Sequence, residues 1–393
     1  MAVYCKCEKT EIVVFGGIDR NSIFMWKGTS IKVMEGYKYL GMIMKRNLNW
    51  KDMKAAAIIK ARRKIMSVFG IKGMVDGMDI KTKEKLWVTL IRSSLEYGVE
   101  VWDPGVWPEA EQLQYEIGRR ILRGKKNTTK EVILGELGWW RLVGRRDYKV
   151  LMFWRKIMEN SKNGLIVDLY RMTRAMIEEG RRGSFWVERV RKLCQELGLE
   201  NEWKSELLGT EKEWREKVWR KIQEREEMVW LQNMDKKPKL FLYKLLKNTL
   251  RKERYLEDSF NNEGTRLLTQ LRSGTSDLRL ETGRFEGLER KNRLCLLCLE
   301  EVENENHFMC NCKICEDERK KMYNDLEVVS GIKVYSYNAD DRLRVLIGVG
   351  IEWSKDIYVR SMNVVKRYIQ SAMRIRKGML SLALDRGDDI IYT

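Results

Sequence analysis

Apolar and polar positions divide the chain into two regimes. Near the start, short β-branched and aromatic runs alternate with turn residues: Ile12 to Phe15, a Gly16-Gly17 turn, Ile23 to Trp26, a Lys27-Gly28 turn, then Ile31 to Val33. Runs of this length bounded by glycine predict strands, and Tyr37 to Gly41 closes the small sheet they form. From Trp50 the period changes to that of a helix. Trp50 to Gly70 carries Ala55, Ala56 and Ala57 among good helix formers, with no interior Gly or Pro. Ile80 to Trp102 places Leu86 and Leu90 on one face and Trp87, Ile91 and Leu95 one face over, an ordinary core pattern.

Asp103-Pro104-Gly105 and Pro108 break that helix, and the next begins near Glu109, where a leading proline is tolerated. Glu202 to Glu227 mixes seven basic with eight acidic residues around Trp203, Trp214, Val218, Trp219 and Ile222. That composition predicts one solvated helix with an aromatic stripe against the core, not a binding groove. The expected fold is mainly α, with a small N-terminal β-sheet and a helical body. Only three prolines occur, no Gly/Ser-rich tract marks a linker, and there is no regular repeat.

Composition adds a direction to this helical picture. With 393 residues, 44% of them hydrophobic, the chain is long enough for two or three domains and too apolar to be a disordered polymer. Lysine and arginine number 76 against 57 acidic residues, a net charge of +19. An excess of that size attracts polyanions, of which nucleic acid is the usual one, although a generic basic surface is the plain alternative.

The charge is concentrated. Lys45 to Lys64 holds eight basic residues, including Lys60, Arg62 and Arg63, against the single acid Asp52. Ile117 to Lys130 holds Arg119, Arg120, Arg123, Lys125, Lys126 and Lys130 and no acid, and Arg360 to Lys377 repeats that balance with Lys366, Arg367, Arg374 and Arg376. Singly, each is as well explained as a solvated helix face. Together they point to phosphate contacts that hold a nucleic-acid backbone without reading its sequence.

No apolar run approaches the roughly 18 to 20 residues of a membrane span, and Met1 to Glu11 lacks the apolar region of a signal peptide. The expectation is an intracellular protein, nuclear or cytoplasmic, with reduced thiols and no membrane partner.

The strongest chemical signal lies between Cys295 and Cys315. The one histidine of the chain, His307, falls there, among Cys295, Cys298, Cys310, Cys312 and Cys315, five of the eight cysteines. Cys295-x2-Cys298 followed by His307-x4-Cys312 supplies three thiolates and an imidazole at the spacing of a closed structural Zn2+ site. A catalytic zinc would keep one position open for water. A disulfide cluster would need an oxidising compartment. Cys310 and Cys315 remain alternatives for the fourth ligand, and Phe308 is a candidate for stacking on a base.

In series, several stretches resemble a known family: Lys9 to Phe15; Tyr37 to Gly41 with Leu48 and Trp50; Leu90 to Gly98 ending at Trp102; Glu136 to Gly138; Arg145-Arg146; Leu271 to Gly274; Glu281 to Arg284; and the cysteine knuckle with His307-Phe308 and Arg319. The order is similar to that of the C-terminal part of the reverse transcriptase of LINE-type non-LTR retrotransposons, and covers nearly the whole chain up to about residue 320.

The resemblance implies partial palm strands over 1–45, a helical thumb-like region over 46–160, a helical connector over 161–290, the Cys/His knuckle over 291–320 and a helical tail over 321–393. It also implies that Cys295, Cys298, His307 and Cys312 carry zinc and that the knuckle binds nucleic acid.

Polymerase chemistry needs two Mg2+ ions held by carboxylates. In this family those carboxylates lie upstream of the position of Lys9, so the chain is expected not to be an enzyme on its own. The alternatives are a part of an active reverse transcriptase whose catalytic half is encoded upstream or supplied in trans, and a decayed mobile-element remnant. Tyr337 to Asp341 imitates the polymerase aspartate pair by letters, but Arg342 and Arg344 follow it, and Asp340 is better placed to cap a helix starting near Arg342.

Overall fold

A computed structural model describes residues 10–15, 23–70, 77–102, 105–159, 164–257, 262–349 and 352–385. The expected turn at Gly16-Gly17, the start of the Lys9 to Phe15 stretch and the break at Asp103-Pro104 lie outside the described residues. The protein is mainly helical, and among the described residues the strands are five, all short and all in the N-terminal part. It divides into two compact units, both discontinuous in sequence: 1–76, 86–112 and 142–223 form the first, and 77–85, 113–141 and 224–393 the second.

In the first unit the strands form two small sheets rather than one. β1 (Glu11–Ile12) runs parallel to β3 (Thr29–Val33), and β2 (Phe24–Trp26) pairs antiparallel with β3. β4 (Gly36–Tyr39) pairs with β5 (Met42–Lys45), a strand beyond the Gly41 boundary expected from the apolar pattern. Both hairpins turn on two residues in the left-handed region: Lys27 at φ 49° with Gly28 at 78°, and Leu40 at 47° with Gly41 at 86°. Two successive positive φ values give the turn whose twist matches paired strands.

The helix Lys51–Phe69 buries Met53, Ala57, Ala61, Ile65 and Phe69, a line at i+4 spacing whose small central residues allow close packing. It packs against a π-helical turn, Trp87–Arg92, and the short helix Ser93–Leu95. Trp87, Ile91 and Leu95 are buried there as the spacing predicts, whereas Leu90 points outward. Tryptophans dominate the rest of this core. Trp102 meets Trp107 edge-on at 5.4 Å, and Trp154 meets Trp214 at 5.6 Å and Trp203 at 5.9 Å.

The region expected as one helix over Glu202 to Glu227 is two helices, Glu200–Ser205 and Glu211–Asp235. Glu206 and Gly209, at φ 56° and 68°, turn the chain between them. Trp203, Trp214, Val218 and Ile222 are buried as expected, and Trp219 is left half-exposed against Tyr148.

The second unit is built around the helix Lys130–Leu137, of which every residue after Lys130 is buried. The helix lies inside the core, and its two carboxylates, Glu131 and Glu136, are buried with it and paired with cations. Gly135 lets Trp230 and Tyr243 lie directly against it, since a Cβ there would strike both. Glu136, fully buried in this helix, faces Arg272, also fully buried at the end of the helix Asn262–Arg272. Arg272 reaches Glu136 at 3.2 Å and Glu253 at 2.9 Å, and donates to the Ile347 carbonyl at 2.7 Å.

The long C-terminal helix Lys355–Asp385 packs on Asn262–Arg272 and on Glu316–Ser330. Tyr337 to Asp341 is not a strand hairpin. Asn338, not Asp340, caps the helix Ala339–Leu346 by accepting from Asp341 N, because its side chain sits one residue before the first turn, where the free N–H groups point. Among the described residues no helix is long and apolar enough to cross a membrane.

Candidate metal centre

The knuckle is assembled by backbone hydrogen bonds before any side chain acts. Cys295 N donates to Glu301 O at 2.8 Å and Glu303 N to Arg293 O at 2.9 Å, which closes the Cys295–Cys298 loop. Leu299 N donates to Cys295 O, with Leu299 itself left-handed at φ 57°. The second half is a π turn, His307–Asn311. Cys312 N donates to His307 O at 2.8 Å, a five-residue closure that brings the His-x4-Cys pair to one side. Asn304 Oδ1 accepts from His307 N and fixes the start of that turn.

Cys295, Cys298, His307 and Cys312 thereby converge, and their ligand atoms all lie within 4.8 Å of one another. The cluster could hold a metal ion. Cys295 Sγ is 4.0 Å from Cys312 Sγ, and Cys298 Sγ is 3.4 Å from His307 Nε2. Bonds of about 2.3 Å to sulfur and about 2.0 Å to nitrogen at tetrahedral angles require about 3.8 Å between sulfurs and about 3.5 Å from sulfur to nitrogen. The donor set therefore fits a four-coordinate ion.

Nε2 faces the thiols, and Nδ1 is held 3.0 Å from Glu301 Oε2, the carboxylate–histidine arrangement that orients a ligating imidazole. Burial pulls His307 down, but hydrogen bonds to Cys295 and Glu301 outweigh it and push the imidazole up to about 9. The same hydrogen bond holds Glu301 below the usual carboxylate range. The hydrogen bond with Cys312, and then burial, push the Cys295 thiol up to about 12, and burial raises Cys298. Three thiols that resist ionising beside one another are what a bound cation would relieve.

Of the two alternative ligands, Cys310 is pushed up to about 11 by burial and lies toward Tyr323, Arg342 and Arg319, outside the converging group. Cys315 hydrogen-bonds to Cys312, which lowers its thiol, and it too is outside the group. In the supporting shell, Glu303, which no sequence signal marks, has Oε1 3.8 Å from Cys295 Sγ, and Arg319, named with the knuckle in sequence but given no role there, donates to the Cys312 carbonyl at 2.9 Å.

Three residues expected to meet nucleic acid are enclosed instead. Arg376 is buried and clamps Glu303 through Nε at 2.6 Å and Nη2 at 2.8 Å, so its fork is closed to a phosphate. Phe308 is 3% exposed, packed against Tyr368, and has no face for a base. Its neighbourhood is sealed because Tyr368 Oη donates to the Phe308 carbonyl at 2.8 Å. Lys366 is likewise buried and donates to Tyr255 O.

The remaining predicted contacts divide by what they touch. In the second unit Arg119 donates to Thr128 O, Arg123 lies 4.0 Å from Glu263, and Lys125 pairs with Asp277. Arg120, Lys126, Arg367 and Arg374 are exposed with no acidic partner among the described residues. In the first unit Lys60, Arg62 and Arg63 lie on the exposed side of Lys51–Phe69, and Lys64 donates to Leu90 O at 2.7 Å. No protein family matches the chain, and comparisons with curated proteins and with solved structures find no match.

Proposed function

We propose that this chain is a zinc-containing nucleic-acid-binding protein, related to the C-terminal part of a retroelement reverse transcriptase, that contributes binding rather than phosphoryl transfer. The observation that carries it is a set of exposed cations with no acidic partner among the described residues: Lys60 and Arg63 in the first unit, and Arg120, Lys126, Arg367 and Arg374 in the second. The net charge of +19 supports the same reading. RNA or DNA would be held through phosphates, without readout of sequence.

In this reading the thiolates of Cys295, Cys298 and Cys312 and Nε2 of His307 hold a structural Zn2+. Three thiolates and an imidazole supply four protein ligands, and the Cys295–Cys312 and Cys298–His307 separations suit a tetrahedral ion. The ion ties the knuckle together, while Glu303 and Arg376 fasten it to the C-terminal helix. The knuckle acts as a clip and not as a stacking platform, because Phe308 is enclosed.

The test is anisotropy of labelled single-stranded RNA titrated with the purified protein at moderate salt, with zinc measured on the same sample. Binding together with stoichiometric zinc is expected, and no affinity for RNA or DNA sinks the proposal. Association with a separately encoded catalytic half is the second reading, which primer extension restored by adding such a half would favour.

A further inference from the structure

We propose that Arg92, Arg145 and Lys149, gathered on the carboxylate of Glu96, form a binding site for a phosphate group in the first unit. None of the three cations belongs to the basic stretches assigned to nucleic acid above. Arg92 ends the π turn Trp87–Arg92 and lies four residues before Glu96, while Arg145 and Lys149 stand one turn apart on the helix Leu142–Glu159. The sequence thus brings two i,i+4 pairs to one point.

Glu96 is buried and is the hub. Its Oε1 accepts from Arg145 Nε at 2.9 Å and lies 3.9 Å from Arg92 Nε. Its Oε2 lies 3.3 Å from Lys149 Nζ, which also donates to the Glu96 carbonyl at 3.0 Å. One carboxylate against three cations leaves two positive charges uncompensated. No other carboxylate among the described residues pairs with these cations.

The geometry states where the missing negative charge belongs. Both guanidinium groups turn Nε toward Glu96, and neither has a protein acceptor for its two η nitrogens among the described residues. The side chain of Arg92 is only 16% exposed, so water satisfies it poorly. Arg145 and Lys149 are 28% and 34% exposed, which leaves the cluster open on one side. Two planar forks and an ammonium around a partly desolvated opening match the several oxygens of a phosphate, which accepts from forks in pairs.

A free phosphate compound and a phosphate of a nucleic-acid strand share that chemistry. Only the second source rests on the function proposed above.

The experiment is isothermal titration of the full chain with inorganic phosphate at constant ionic strength set by chloride. Saturable binding is expected, weakened about tenfold in Arg92→Gln by loss of one charge-assisted fork. Glu96→Gln should bind phosphate more tightly than the parent, because removing the internal anion raises the uncompensated charge. A merely structural role for Glu96 would weaken it instead. No saturable binding, affinity unchanged in Arg92→Gln, or weaker binding in Glu96→Gln would each overturn the assignment.

Competition separates the two sources. Displacement of labelled RNA by phosphate, with RNA binding weakened in Arg92→Gln, identifies strand phosphates; phosphate binding that leaves RNA affinity untouched identifies a free ligand. Phosphate binding by a protein that ignores RNA defeats only the nucleic-acid proposal, and RNA binding without a phosphate site defeats only this one.

Discussion

Two buried carboxylates, Glu136 in the second unit and Glu96 in the first, are neutralised in opposite ways. Around Glu136 the charges cancel: Arg272 faces Glu136 and Glu253, Lys247 pairs with Glu253, and Tyr255 hydrogen-bonds to Glu136. Two anions meet two cations, each with hydrogen bonds to spare, and nothing further is needed. Around Glu96 three cations share one anion and remain partly open to solvent. The same residue types serve the fold where they balance and face outward to a ligand where they do not.

The largest expected effects lie on the balanced side. On the proposed zinc site, Cys298→Ser should abolish stoichiometric zinc binding and lower the unfolding midpoint. Cys310→Ser should retain the metal, as read by metal analysis and thermal unfolding. Arg272→Met strands Glu136 and should cost about 3–5 kcal/mol in urea unfolding. Adding Glu136→Gln should recover part of that loss, and a loss below about 1 kcal/mol would show that the pair is not a balanced unit.

A smaller, pH-dependent effect marks the unbalanced side. Burial pushes the Glu96 carboxyl up, but Arg145, Lys149 and Arg92 outweigh it and hold it below its ordinary value of 4.5. A depressed carboxylate contributes stability that is present above the unfolded value and is lost as pH falls through the lower folded one. Glu96→Gln should therefore flatten the loss of stability below about pH 4.5. An unchanged acid profile would remove Glu96 as the hub. The smallest effect on folding belongs to Lys60→Ala with Arg63→Ala, which should change stability by less than about 0.5 kcal/mol.

The sequence made some of this legible and hid the rest for identifiable reasons. Helix and strand regions followed from periodicity, as the line Met53, Ala57, Ala61, Ile65 and the buried trio Trp87, Ile91, Leu95 illustrate. The Cys/His group was legible because its members are close in sequence and rare in type. Its supporting shell was not, since Arg376 meets Glu303 from 73 residues away. On pattern alone Arg376 is indistinguishable from Arg374, which the same helix turns to solvent.

Phe308 looked available because spacing does not reveal what covers a ring. β5 and the break at Glu206 to Gly209 were missed because Met42 to Lys45 carries no alternation and the break holds a single glycine. Glu136 and Arg272 lie 136 residues apart in sequence, so no local pattern announces their pairing.

Nucleic-acid binding through unpaired surface cations is tested most directly by the salt dependence of RNA affinity, measured for the parent and for Lys60→Ala with Arg63→Ala. A steep linear fall of log affinity with log salt is expected, with a slope shallower in the variant by roughly 0.7 for each phosphate that is no longer neutralised. RNA binding with no salt dependence, or with the same slope in both proteins, would contradict it.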